Sequence, residues 1–200
     1  MISSHKDHLV FYQATLKKLI GLPAALLLAT FCANAQAGGL IDLQEGAGKD
    51  VAARLGITSH RYMLSTDFTP ARPYSSVVLS NSKNMDKDKD TIVHNALVHS
   101  SEEGARILFS RFAKCGKPRV VDNVVIEVNS QPIGVLYECR IDEHGNPVSI
   151  YLPTSPAARQ FIFKAFMTHK LVPVVLDKYS VAFSTEGFGE VWQQKNKPVL

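Results

Sequence analysis

RVVDNVVIEVNSQPIGVLYECRID, residues 119–142, is the stretch that settles the fold class. Valine and isoleucine crowd both of its ends, and such branched side chains are stiff at χ1 and pack well on a pleated surface. Arg119 to Asn129 and Ile133 to Asp142 are therefore predicted strands, and the short SQPI link joins them as an antiparallel pair. A second turn, EHGNP, leads into Val148 to Leu152, so the stretch predicts a three-stranded meander.

Towards the C-terminus, Pro153, Ser155 and Pro156 mark a break and the start of a helix, proline being well placed in a first helical turn. In PAARQFIFKAFMTHK the positions Ala158, Phe161, Ile162, Ala165, Phe166 and His169 share one broad face. Val172 to Leu176 and Tyr179 to Ser184 then form a hairpin about Asp177-Lys178. TEGFGEVW and a polar tail close the chain, and are expected to be a flexible extension presenting Phe188 and Trp192 for packing or for contact with a partner.

Towards the N-terminus, Ser100 with Glu103 has the spacing of a capping box, and Ala105, Leu108, Phe109 and Phe112 recur at helical intervals. The spacing predicts a helix that ends at Cys115-Gly116. TIVHNALVHS before it fits strand or helix, and residues 81–90, NSKNMDKDKD, are expected to be an exposed loop. Arg61 to Phe68 and Tyr74 to Ser80 are strand candidates around the Pro70–Pro73 turn. Leu40, Leu43, Ala47, Val51 and Leu55 predict an amphipathic helix ended by Gly56, its first half weakened by Gly46 and Gly48 at about 1 kcal/mol each. Strands and helices in mixed order with short hairpins predict an α+β fold: an antiparallel sheet, meander plus C-terminal hairpin, packed by two to three helices.

Residues 1–37 are expected to be a cleaved secretory signal peptide. Lys17 and Lys18 precede a short apolar run from Leu19 to Phe31, and Ala33 to Ala37 supply the small side chains a signal peptidase needs, with the cut after Ala37 or, second, after Ala35. The run contains Pro23 and is shorter than the roughly 20 residues of a membrane span, so no stable span is expected after signal removal. Phe31 ahead of Cys32 argues against a lipoprotein cut.

The remainder, residues 38–200, has the size of one domain with its own core. Removing the leader leaves 19 basic against 17 acidic side chains, without the basic excess of a nucleic-acid binder. Cys115 and Cys139 also remain, and an even pair in an exported chain predicts a structural disulfide in a periplasmic or secreted protein.

No catalytic constellation emerges. DKDKDTIVHNAL alternates Asp86, Asp88 and Asp90 like a calcium loop, but Thr91 replaces the turn glycine and Leu97 the closing glutamate. His94 and His99, five apart, face different ways on a strand or a helix, and are expected to be partly exposed positions near a loop. His144 falls in a turn and His169 at a helix end. Neither a Gly-x-Ser-x-Gly elbow nor a phosphate loop occurs, EGAGKD lacking the required spacing. Glu102/Glu103 and Asp142/Glu143 are explained as capping charge and a hairpin tip, and Glu186/Glu190 flank GFG near Phe183 and Trp192. No metal and no cofactor are predicted.

These absences favour a non-enzymatic protein-binding module of the cell envelope with a protein partner, such as an accessory subunit, inhibitor or immunity factor. The alternatives are a small exported hydrolase or toxin, and a small-ligand carrier enclosed by the sheet and the phenylalanine-rich helix.

Overall fold

Asn129 and Ser130 both adopt left-handed backbone conformations, φ 49° and 64°. They reverse the chain in two residues, and asparagine tolerates this region because its short polar side chain bonds locally. The turn joins β6 (Arg119–Val128) to β7 (Gln131–Ile141), paired from Val128↔Gln131 to Arg119↔Cys139. β7 pairs in turn with β8 (Pro147–Pro153), so the expected meander is present. The computed structural model describes residues 39–85, 88–112, 115–142 and 145–196. The expected leader with Cys32, and Asp86, Glu143 and His144, lie outside them.

Seven further strands extend the meander: β1 (Leu40–Asp42), β2 (Tyr62–Ser65), β3 (Tyr74–Ser80), β4 (Ile92–Ser101), β5 (Gly104–Phe112), β9 (Leu171–Leu176) and β10 (Tyr179–Ser184). The ten form one antiparallel sheet in the order β1-β2-β3-β4-β5-β8-β7-β6-β9-β10. Among the described residues three helices accompany it: α1 (Gly46–Leu55), α2 (Pro156–Thr168) and α3 (Phe188–Lys195). The α+β expectation holds in coarse form, although sheet dominates. The C-terminal hairpin β9–β10 forms about Asp177 and Lys178 as expected.

The expected helix after Ser100 is instead β5, joined to β4 through Glu102-Glu103 and Gly104, whose φ is 97°. Ile107 and Phe109 face the main core, whereas Leu108 and Phe112 belong to a second apolar cluster with Tyr74, Leu97, Val148 and Ile150. A strand buried on both faces is a near-continuous apolar run, which satisfies helical spacing by accident. Ser100 caps no helix of its own; its hydroxyl donates to the Lys195 carbonyl at the end of α3.

Other corrections are local. The expected helix from Leu40 begins only at Gly46, and its first residues form β1. Gly48 is required there, because a Cβ would lie 1.9 Å from the Asp42 carbonyl oxygen. Loop 81–90 is not wholly exposed: Met85 is buried, and Asp88 accepts from the Ser80 hydroxyl and from the Asn81 and Asp90 amides.

The main core lies between the inner face of the sheet and helices α2 and α3. Ser155 caps α2 by accepting from the Ala158 amide, and Pro156 starts it. Its buried stripe, Ala158, Ile162, Ala165 and Phe166, was legible in the spacing. Phe166 meets Phe68, Phe109 and Phe188.

Candidate functional site

Antiparallel pairing sets His94 on β4 directly opposite Arg111 on β5. Strand alternation sends both side chains inward, His94 in phase with Ala96 and Val98, Arg111 in phase with Phe109. The neighbouring inward positions on β10 and β8 are Tyr179 and Tyr151. Two aromatic contacts centre on Tyr179, with the His94 ring at 5.6 Å and the His60 ring at 6.4 Å. The Arg111 guanidinium lies over the same ring at 5.3 Å and pairs with Asp177 at 2.8 Å. Tyr151 donates to the same Asp177 oxygen, also at 2.8 Å. Asp177 holds this position at φ 56° in the β9–β10 turn.

His94 is 0% exposed, and among the described residues neither ring nitrogen has a hydrogen-bond partner; the Arg111 Nε is likewise buried and without a partner among them. Burial, helped by the positive charge of Arg111 and by His60, pushes the His94 pKa down to about 3. The Val77 backbone opposes this as the smallest influence and makes no geometrically sound bond. Burial and the bond to Asp177 raise the Tyr151 pKa. The cluster thus holds a neutral imidazole and a guanidinium already neutralised by a carboxylate.

The expectation that His94 is partly exposed is overturned by its position on the inner face of β4. The signal was its phase with Ala96 and Val98, which becomes decisive only once residues 92–101 are a strand. His99 takes the opposite face, as its spacing required, and His169 stands at the C-terminal cap of α2, its Nδ1 3.1 Å from the Ala165 carbonyl.

The expected flexible extension is helix α3. Phe188 is 1% exposed and packs on Phe68 and Phe166, while Trp192 is half-buried with its ring 4.6 Å from Phe163. Phe188 is therefore a core residue and presents no surface. Gly187 before it has φ 75°, and a Cβ there would meet the Phe68 carbonyl oxygen at 2.2 Å. Glu186 and Glu190 are exposed. Glu186 faces Asp67, whose carboxyl is raised above its ordinary range first by burial and also by that neighbouring charge.

Cys115 and Cys139 lie at disulfide distance, S–S 2.17 Å. Since Cys115 follows a strand and not a helix, the bond pins the crossover from β5 to β6 onto β7. The strand it introduces is open on one side. β6 pairs along most of its length with β7 but with β9 only at Glu127 and Val128. Residues 119–123 are all exposed, and Val120 and Val125 are each 63% exposed. A bulge between Val121 and Val124, with Asn123 at φ 58°, keeps Val121 and Val124 on the Tyr137–Val135 side of the ladder and turns Val120 and Val125 outward.

Among the described residues no group of three or more His, Cys, Asp or Glu is placed to hold a metal ion, and Asp88 is occupied by the loop it folds. Nor is any helix among them long and apolar enough to cross a membrane. The described residues thus form an antiparallel-sheet protein with a buried polar cluster in its core and, besides the terminal strands β1 and β10, an internal strand, β6, whose side towards β9 is largely open. No protein-family model, no curated protein and no solved structure matches the chain.

Proposed function

We propose that this chain is a non-enzymatic protein-binding module of the cell envelope, periplasmic or secreted, which takes an extended segment of a partner protein onto the open edge of β6. The observation that carries the reading is the run of exposed residues 119–123 on a strand paired on its outer side only at Glu127 and Val128. Unpaired backbone groups on such an edge supply the hydrogen bonds of strand addition, and the outward Val120 and Val125 supply apolar contacts that select the partner. The Cys115–Cys139 link supports the same reading, because a strand anchored at its first residues loses less freedom on binding. A cysteine pair at this distance is also compatible with an oxidising compartment.

The experiment is capture of the partner from native envelope, followed by hydrogen exchange on the complex rebuilt from the purified components. Amides of residues 119–126 are expected to gain protection, and Val120→Lys with Val125→Lys to abolish capture. Protection confined to another surface, or undiminished capture by the double variant, overturns the reading. Concentration-dependent dimers removed by the same double variant would show the edge to be filled by a second copy and would equally replace it.

A further inference from the structure

We propose that His94, Arg111 and Tyr179 form a buried site for a small monoanion, carboxylate-sized or smaller, which is taken up together with a proton. The inference is independent of the β6 edge. It begins from three polar atoms without partners, both ring nitrogens of His94 and Nε of Arg111, on side chains that face each other across β4 and β5. Buried polar groups are paired in the great majority of native structures, so an unpaired set on adjacent strands marks a place for something the chain itself does not supply.

The chemistry of the three atoms selects the occupant. The outer nitrogen of Arg111 is spent on Asp177 at 2.8 Å, which leaves its Nε–H as an unused donor. Neutral His94 offers one donor and one acceptor; protonated, it offers two donors. Arg111 is already neutralised by Asp177 and Lys178 lies exposed on the solvent side of Tyr179, so within the buried cluster an incoming anion finds spare positive charge only where His94 provides it. A proton moved from solvent to the His94 ring supplies that charge, and the pair formed, imidazolium with anion, is neutral as a whole. The anion then accepts from His94 and from the Arg111 Nε–H.

The surrounding groups fit this exchange. Tyr179 and Lys178 come from the β9–β10 hairpin, with the lysine ammonium 5.4 Å from the Tyr179 ring. His60 approaches from the segment before β2, with its Nδ1 2.9 Å from the Ser59 hydroxyl. Tyr151 on β8 is turned to Asp177, and β3 contributes Val77, Leu79 and no charge. Asp177, the one carboxylate in the cluster, is held by Arg111 and Tyr151 and so does not compete for His94. Its side chain is 41% exposed, and Tyr179 is half-buried, which leaves solvent one side chain away from His94.

The test is a titration of the purified protein with sodium formate at constant ionic strength, followed by the long-range nitrogen–proton spectrum of the histidine rings. At pH 6 His94 is expected to pass saturably from the neutral to the imidazolium signature. Uptake of one proton makes the apparent affinity rise about tenfold from pH 6 to pH 5. His94→Phe keeps an aromatic ring in the core and should abolish the response. Arg111→Lys, which keeps the charge facing Asp177 but removes Nε–H, should weaken it at least tenfold and serves as the second variant should the first fail to fold. Absence of saturation, an affinity independent of pH as expected if a bridging water fills the site, or an unchanged response in either folded variant overturns the proposal.

Discussion

β5 and β6 belong to the same sheet and are of similar length, yet their surroundings are opposite. In β5, residues 107–111 are all buried; in β6, residues 119–123 are all exposed. β6 is the richer in branched residues, so composition does not account for the contrast. Position does: β5 has β4 along one side and β8 along part of the other, whereas β6 has β7 on one side and β9 only at its last two residues. The buried strand carries the core and the polar cluster that it encloses. The open strand carries surface that another chain can pair with. If β6 recognises a partner as proposed, stability and recognition are separated within one sheet, and a change in one region should leave the other largely untouched.

The largest effect expected is from the β5 side. Phe109 is 0% exposed and packs on Phe166 and Phe183, so Phe109→Ala should cost about 3–5 kcal/mol in urea unfolding, whereas Val125→Ala on β6 should stay within about 0.5 kcal/mol. Equal costs would break the comparison. Next is the link that anchors β6. Cys115→Ser should cost about 3 kcal/mol by the loop-entropy account and should speed amide exchange in residues 119–121 more than in 107–111. Uniform acceleration would mean that the bond serves the whole sheet equally.

A smaller effect is expected from acid. His94 has a lower pKa folded, about 3, than unfolded, about 6.5. The unfolded chain therefore takes the proton first, and stability that is complete well above pH 6.5 should fall as pH drops towards 3, by about 1.2 kcal/mol between pH 6 and pH 5. Chemical denaturation in buffers free of carboxylates measures this, and His94→Phe should flatten the slope. A second acid loss is expected at lower pH, because the Ser80 hydroxyl and backbone amides hold Asp88 at about 2, so its contribution fades as pH falls from ordinary carboxylate values towards 2. Smallest of all is the stability change from Val120→Lys with Val125→Lys, which should remain within about 0.5 kcal/mol per site even as partner capture is lost. A large loss would show that the two valines serve packing rather than recognition.

Short-range chemistry was legible in the residues themselves. The β6–β7 pair formed as its branched residues suggested, although its turn falls at Asn129-Ser130 and not in the expected SQPI link, Tyr74–Ser80 is a strand with the bounds expected, and Ser155-Pro156 opens a helix whose buried stripe follows its spacing. Cys115 and Cys139, once Cys32 was set apart with the expected leader, were expected to be linked, and they lie at disulfide distance. The turn, the strand and the helix start depend on contacts within a few residues, and the cysteine link on the choice of partner that the expected leader implied.

The tertiary structure alone decided the rest. Ala105, Leu108, Phe109 and Phe112 fit a helix in isolation, and became a strand because β4 and β8 flank them and apolar clusters cover both faces. Phe188 moved from an expected surface to the core because Gly187 lets the chain approach Phe68 closely enough to bring in α3. His94 meets Arg111 through strand pairing, and Arg111 meets Asp177 through the fold of a hairpin far along the chain. Turn chemistry and side-chain stiffness act locally and leave their mark on sequence, but burial and charge pairing arise between segments distant in sequence, and no local pattern encodes which of them will meet.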